Sequence, residues 1–204
     1  GFDLAQPFVR QTDFAGTNYF FYDLNAKMNY QFSQNDRVYL SGYFGRDVLT
    51  FAQPGRDFQF TLPYGNATAT LRWNHLFNDK LFFNLSAIYN DYQFKAGFEQ
   101  EEFKFDIFSG VRDYTAKFDF DYFPSNNHQV KTGLHATHHR LTPNIIRGNA
   151  GDTEFENTAE AKYAHEYAVY LQDDWKINPW LRVNLGLRAT LFQQTGPYTS
   201  GIDG

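Results

Sequence analysis

Polar and apolar residues alternate along most of the chain, and the stretch from Ala67 to Tyr89 shows the pattern best. Ala67, Ala69, Leu71 and Trp73 alternate there with Thr68, Thr70, Arg72 and Asn74. After Asn78-Asp79-Lys80, Leu81, Phe83, Leu85, Ala87 and Tyr89 alternate with Phe82, Asn84, Ser86, Ile88 and Asn90. Period-two alternation puts each set on its own face of a sheet. Asn-Asp-Lys is turn chemistry, so the stretch predicts a hairpin. Each arm is about ten residues, longer than the usual soluble strand of about five or six and long enough for a tilted strand to cross a bilayer.

The same reading extends to the whole chain. Residues Gly1 to Asn18 carry Pro7, Gly16 and Asn18 and read as a loop. From Tyr19 onward, Leu24, Met28 and Tyr30 alternate with Asn25, Lys27 and Asn29. Short turns are predicted at Ser33–Asp36, Asn78–Lys80, Pro124–Asn127 and Asn178–Pro179. Between them run Arg37–Asp47, the opening hairpin, Phe103–Phe123, a strand from about Val130, Ala159–Ile177 and a last strand through Leu191. Stretches 48–65, 92–102 and 141–158 lose the pattern or collect Pro, Gly and acidic residues, and read as long loops, with a further loop in the tail 193–204. Past Tyr89 the apolar set passes to Tyr92, Phe94, Ala96 and Phe98, as a bulge or the end of a membrane zone would produce. The predicted fold is all-β: an antiparallel up-and-down meander of about eight long strands in four hairpins, occupying residues 1–204 as one domain. Short turns at one end and long connections at the other are the asymmetry of an outer-membrane barrel.

Composition sharpens this picture. Of the 204 residues 20% are aromatic, with 23 Phe and 14 Tyr, yet polar residues interleave with them so evenly that mean hydropathy is negative. Aromatics gather beside the short turns, as in Trp73, Phe77, Phe120, Tyr122, Trp175 and Trp180, and an interfacial girdle is expected to do so. No apolar run is long enough for a transmembrane helix, which leaves spanning strands open. With no Cys there is no disulfide framework, and a net charge of −5 argues against nucleic acid as a partner. No signal peptide is visible ahead of Gly1, so a mature segment or an excised fragment is expected.

Alternation of this kind also suits a soluble antiparallel sheet with one wet face. Many long strands in one register, with turns and loops segregated, favour a membrane barrel. The expected lipid-facing set is Leu24, Met28, Leu71, Trp73, Phe83, Leu85, Phe118, Val169, Leu171, Leu185 and Leu187. The expected lumen-facing set is Asn25, Lys27, Thr70, Arg72, Asn84, Lys117, Asp119, Gln172, Asn184 and Arg188.

Candidate chemistry is sparse. His135 and His139 fall on one face and His138 on the other, which suits solvated polar residues better than converging metal ligands. Asp113, Asp119 and Asp121 with Lys117 and Arg112 read as a wall of alternating charge rather than acid–base machinery. Glu99 to Glu102 reads as a solvated acidic tip. There is no G-x-S-x-G, Gly-rich phosphate loop or H-E-x-x-H, so no catalytic, cofactor-binding or metal-binding residue is assigned and no enzyme is expected.

Three stretches, GNATATLRWNHLFNDKLFFNLSAIY, SGVRDYTAKFDFDYF and YLQDDWKINPWLRVNLGLR, resemble the barrel strands of TonB-dependent outer-membrane receptors. The resemblance covers about Tyr19 to Phe192 and is most specific in YLQDDWKI with the turn and the arginine-ended strand that follow. It implies a place in the bacterial cell outer membrane, contact with its lipid, and uptake of a scarce bulky nutrient such as a siderophore, a cobalamin or a glycan. It also implies an energising TonB complex acting through a plug that this chain does not contain. Neither a plug nor a TonB box is recognisable, and the last residue is not aromatic. An open segment of a larger transmembrane β-barrel is therefore expected, starting and ending in outer loops. A complete small eight-stranded barrel and a soluble β-sheet ligand-binding protein are the alternatives.

Overall fold

The computed structural model describes residues 16–53, 55, 57–157 and 159–196. The loop expected over Gly1–Asn18 lies outside these residues up to position 15, and the tail expected over 193–204 lies outside them from position 197. The strands are β1 (Thr17–Gln31), β2 (Asp36–Ala52), β3 (Phe58–Asn78), β4 (Leu81–Gln100), β5 (Phe103–Ser125), β6 (His128–Ala150), β7 (Thr153–Glu156), β8 (Lys162–Asn178) and β9 (Leu181–Thr195). They form one antiparallel sheet in sequence order, except that the four-residue β7 pairs only with β6. The fold is thus the expected up-and-down meander of eight long strands, and it is open: β1 and β9 lie at its two edges.

Register carries the alternation of each strand into its neighbour. Leu71 pairs with Ala87, Trp73 with Leu85, Leu85 with Phe118, Phe118 with Leu134, Leu134 with Val169, and Val169 with Ala189. Directly paired residues point the same way, so these side chains build one continuous face. The four short turns fall where the sequence places them, centred on residues 33–35, 79–80, 126–127 and 179–180. At two of them Asn78 and Asn178 accept backbone N–H bonds from Lys80 and Leu181, both 2.9 Å, and so cap the turn.

The long loops require correction. β2 runs on to Ala52 and β3 begins at Phe58; β4 runs to Gln100; β6 fills most of 141–158, with β7 after it. β9 likewise continues through Thr195 into the expected tail. Expected breakers are absorbed within the ladders. The β3–β4 pairing skips Leu62 and Pro63, and the β5–β6 pairing shifts register between Phe108 and Gly110, opposite Pro143. The register does not shift past Tyr89 in either pairing of β4, so the change of pattern there is no bulge. Instead the two faces exchange character beyond that level. The asymmetry between the ends is one of strand overhang: β3 to β6 have 20 to 23 residues, about twice what a bilayer needs. Two-residue turns close the overhanging hairpins at Glu101-Glu102 and Gly151-Asp152, with Glu101 and Gly151 in the left-handed region at φ 53° and 59°.

Such a sheet has no packed core. Ala164 and Ala168 are the only buried apolar residues among those described, whereas Leu187 is 83% exposed, Leu24 65% and Leu185 62%. A water-soluble domain of this size buries its large apolar side chains. Nothing among the described residues covers this face.

Candidate functional site

Every residue of the expected lipid-facing set lies on the one apolar face. Leu24 and Met28 join it through Phe44 and Leu40, and Leu171, Leu185 and Leu187 through the β8–β9 register. Every residue of the expected lumen-facing set lies on the opposite, polar face: Lys27 pairs with Ser41, Ser41 with Thr70, Asn84 with Asp119, and Gln172 with Lys131.

The apolar band is slanted. On β1 it spans Phe20 to Tyr30, and on β9 Val183 to Leu191. Traced through Leu171, Thr132, Phe120, Phe83 and His75, the row of Leu187 reaches Asp36 at the foot of β2. The centre of the band has therefore drifted by about one residue per strand across the sheet. At about 3.3 Å per residue and about 4.8 Å between strands, that drift corresponds to a tilt of about 35°, the tilt of strands in membrane barrels.

Aromatic rows border the band on both sides. Beside the short turns, Trp73 packs edge-on against Phe83, Phe83 lies 4.7 Å from Phe120, and Trp175 stacks on His128. The Trp73 indole N–H donates to Asp36 at 3.0 Å and His75 Nδ1 lies 2.6 Å from the same carboxylate, which fixes these rings at the rim. At the other border Tyr89, Tyr114, His138 and His165 form one row, with Tyr163 and Tyr167 beside it. This second girdle follows the slant, so no constant sequence spacing reveals it.

On the polar face the carboxylates are tied across strands. Asp119 accepts from the Tyr170 hydroxyl at 2.8 Å and lies 3.1 Å from His135 Nε2. Asp113 lies 2.8 Å from His139 Nδ1, and Asp121 lies 3.7 Å from the Lys131 ammonium. Thr68 donates to Asn90 at 2.8 Å, and Asn74 to Asn84. A Cβ at Gly133 would meet Asp119 Oδ1 at 2.5 Å and the Tyr170 ring at 2.6 Å, so a glycine makes room for that pair. The expected wall of alternating charge is present, but His135, His139 and Lys131 pair with its aspartates. Arg112 lies on the other face, bound to Asp91 at 2.6 Å. His135 and His139 share the polar face and His138 the apolar one, as the spacing implies.

In the overhang the polar face turns aromatic. Phe51, Phe58, Phe98 and Phe103 follow one another with ring centroids 5.3 to 6.0 Å apart, and Phe105 lies 6.4 Å from Phe155. Phe155 crosses directly over Gly148. The alternation of these stretches exposes the patch once they are read as strands, with the apolar positions inverted. The arrangement is a polar wall leading to an aromatic platform at one end.

Comparison with known proteins agrees with this geometry. Residues 84–200, more than half of the chain, match the family described as outer membrane beta barrel domain. No match was found among curated proteins. Among solved structures, the sheet is similar to BauA, the ferric preacinetobactin receptor from Acinetobacter baumannii, with a TM-score of 0.64 and 12% identity, covering 91% of this chain and 35% of that one. FyuA, the ferric yersiniabactin uptake receptor from Yersinia pestis, aligns with a TM-score of 0.48 and 8% identity, over 86% of this chain and 33% of that one. The chain thus spans about a third of the length of these receptors. The slanted apolar band, its two aromatic borders and the matched residues lead to one assignment: the chain belongs to the outer membrane beta barrel domain family, and its place is the bacterial outer membrane.

Proposed function

We propose that this chain is a length of the barrel wall of a TonB-dependent transporter that takes up a scarce, bulky nutrient. The open sheet carries this reading most directly. Unpaired edge strands do not persist in hydrocarbon, so β1 and β9 call for neighbouring strands in a larger barrel. In this reading Leu24, Met28, Leu71, Trp73, Phe83, Leu85, Phe118, Val169, Leu171, Leu185 and Leu187 face lipid. Asn25, Lys27, Thr70, Arg72, Asn84, Lys117, Asp119, Gln172, Asn184 and Arg188 line the lumen. The short turns are periplasmic and the overhanging hairpins extracellular. The aromatic platform of Phe51, Phe58, Phe98 and Phe103 then lies at the mouth, where rings and apolar bodies of a siderophore, a cobalamin or a glycan could stack. The chain's own role is passive and non-enzymatic: it binds and guides, while a plug and the TonB complex would supply the energised step.

Uptake by cells carrying the full-length protein tests the proposal. Labelled ferric siderophores, cobalamin and oligosaccharides are offered as a panel. Accumulation of one class, abolished when the proton-motive force is collapsed and reduced in the Phe58→Ala, Phe98→Ala double variant, is expected. Accumulation that is as fast in de-energised cells would mean a passive pore and contradict it.

A further inference from the structure

The apolar face carries a feature that neither transport nor the bare need for hydrophobicity explains. Ala87, Ala116 and Ala136 pair directly across β4, β5 and β6, with the larger Leu85, Phe118 and Leu134 in the next row toward the short turns and Tyr89, Tyr114 and His138 in the next row toward the overhang. Three short side chains in line leave a trough of about 500 Å³, walled by Leu71 and Tyr167 and closed at its overhang end by Tyr114, His138 and His165. His138 Nδ1 lies 2.9 Å from His165 Nε2, so the two rings hold one another across the trough's upper edge.

One row further toward the overhang, Arg112 and Arg140 are direct cross-strand partners on the same face. Like charges directly opposite are destabilising. Arg112 is compensated, since both its Nε and Nη2 donate to Asp91 Oδ2, at 3.0 and 2.6 Å. Asp91 also accepts from the Tyr89 hydroxyl at 3.0 Å, which leaves it little for a second cation. Arg140 enters no ion pair among the described residues and is exposed. The Arg140 guanidinium thus stands uncompensated above an apolar trough, one row beyond the aromatic border of Tyr114 and His138. An acyl trough below and an unpaired guanidinium above, with tyrosine and histidine rings between, are the footprint of one amphiphile.

We infer that this face of β4 to β8 binds a phosphate-bearing lipid of the outer leaflet, one acyl chain in the alanine trough and its phosphate on Arg140. The inference rests on the proposed reading of the apolar face as lipid-facing and of the overhanging hairpins as extracellular. Arginine suits the headgroup because its planar fork matches phosphate oxygens in pairs. Acyl chain and phosphate together distinguish this occupant from a free anion, which would use the arginine and ignore the trough.

The test uses the full-length protein in phosphatidylcholine nanodiscs, with diphosphorylated lipid A titrated in and retention read by native mass spectrometry. Losing a charge-assisted contact is expected to weaken retention about tenfold in Arg140→Gln. Filling the trough with Ala116→Phe is expected to weaken it comparably, and Arg46→Gln, four strands away on the same face, to leave it unchanged. Lipid A stripped of its phosphates is expected to bind like Arg140→Gln binds the intact lipid. Retention unaffected by both Arg140→Gln and Ala116→Phe, in protein that still inserts, overturns the inference. So does competition by millimolar inorganic phosphate with no effect of Ala116→Phe, which would reveal a free-anion site. Wild-type protein that enters no bilayer overturns the lipid-facing reading and the lipid site with it.

Discussion

Leu85→Arg is expected to destabilise the membrane-inserted protein by about 2–4 kcal/mol, and Asn84→Arg by no more than about 0.5 kcal/mol. The two positions are adjacent in β4 and differ only in the face they occupy. Leu85 sits midway along the apolar stretch Leu81–Tyr89, between Trp73 on one side and Phe118 on the other. With the apolar face against lipid, as proposed, a guanidinium there meets hydrocarbon with no carboxylate on its face closer than the rim. Asn84 pairs with Asn74 and Asp119 on the polar face, where an arginine gains an acidic neighbour and keeps its water. Denaturant unfolding of the full-length protein in lipid vesicles measures both. Equal costs would contradict the assignment of faces.

The second large effect concerns the edges. The 204-residue chain by itself is expected not to enter a bilayer as a discrete folded species. On β1, which has 15 residues, and on β9, which also has 15, every other backbone N–H and C=O points away from the sheet without a strand to receive it. Each such group costs several kcal/mol in hydrocarbon, more in sum than the net stability of a domain. Closure of β1 onto β9 would satisfy them, but it would force Lys27, Arg72, Tyr170 and Arg188 into the narrow lumen of an eight-stranded barrel. In water the same edges and the exposed apolar face favour aggregation. Vesicle flotation with heat-dependent gel migration reads the outcome. A heat-modifiable monomer in vesicles from the isolated chain would show closure and favour the small-barrel alternative.

Much of this was legible because a spanning strand has few options. Alternation from Leu71 to Tyr89 dictates which residues share a face, and Asn78-Asp79-Lys80 dictates where the chain reverses. The overhanging strands were hidden by two effects. Beyond Tyr89 the apolar positions move to the other face, so Phe58, Phe98 and Phe103 look like lost periodicity when they are inverted periodicity. Pro63 and Pro143 look like strand ends, yet skipped pairs and a bulge accommodate them. Contacts that depend on register between strands were beyond the sequence altogether. Arg112 pairs with Asp91 and not with the nearer Asp113, and Arg140 stands opposite Arg112, only because β4, β5 and β6 align as they do.

A scan of spin labels along β9 tests the central claim most directly. Single cysteines from Arg182 to Leu191 in the full-length protein, reconstituted in lipid, are labelled one at a time and relaxed with oxygen, which concentrates in hydrocarbon, and with a water-soluble nickel chelate. Oxygen accessibility is expected to peak at Val183, Leu185, Leu187, Ala189 and Leu191, and chelate accessibility at Asn184, Gly186, Arg188 and Thr190. Chelate access equal at both sets of positions would contradict a lipid-facing apolar wall.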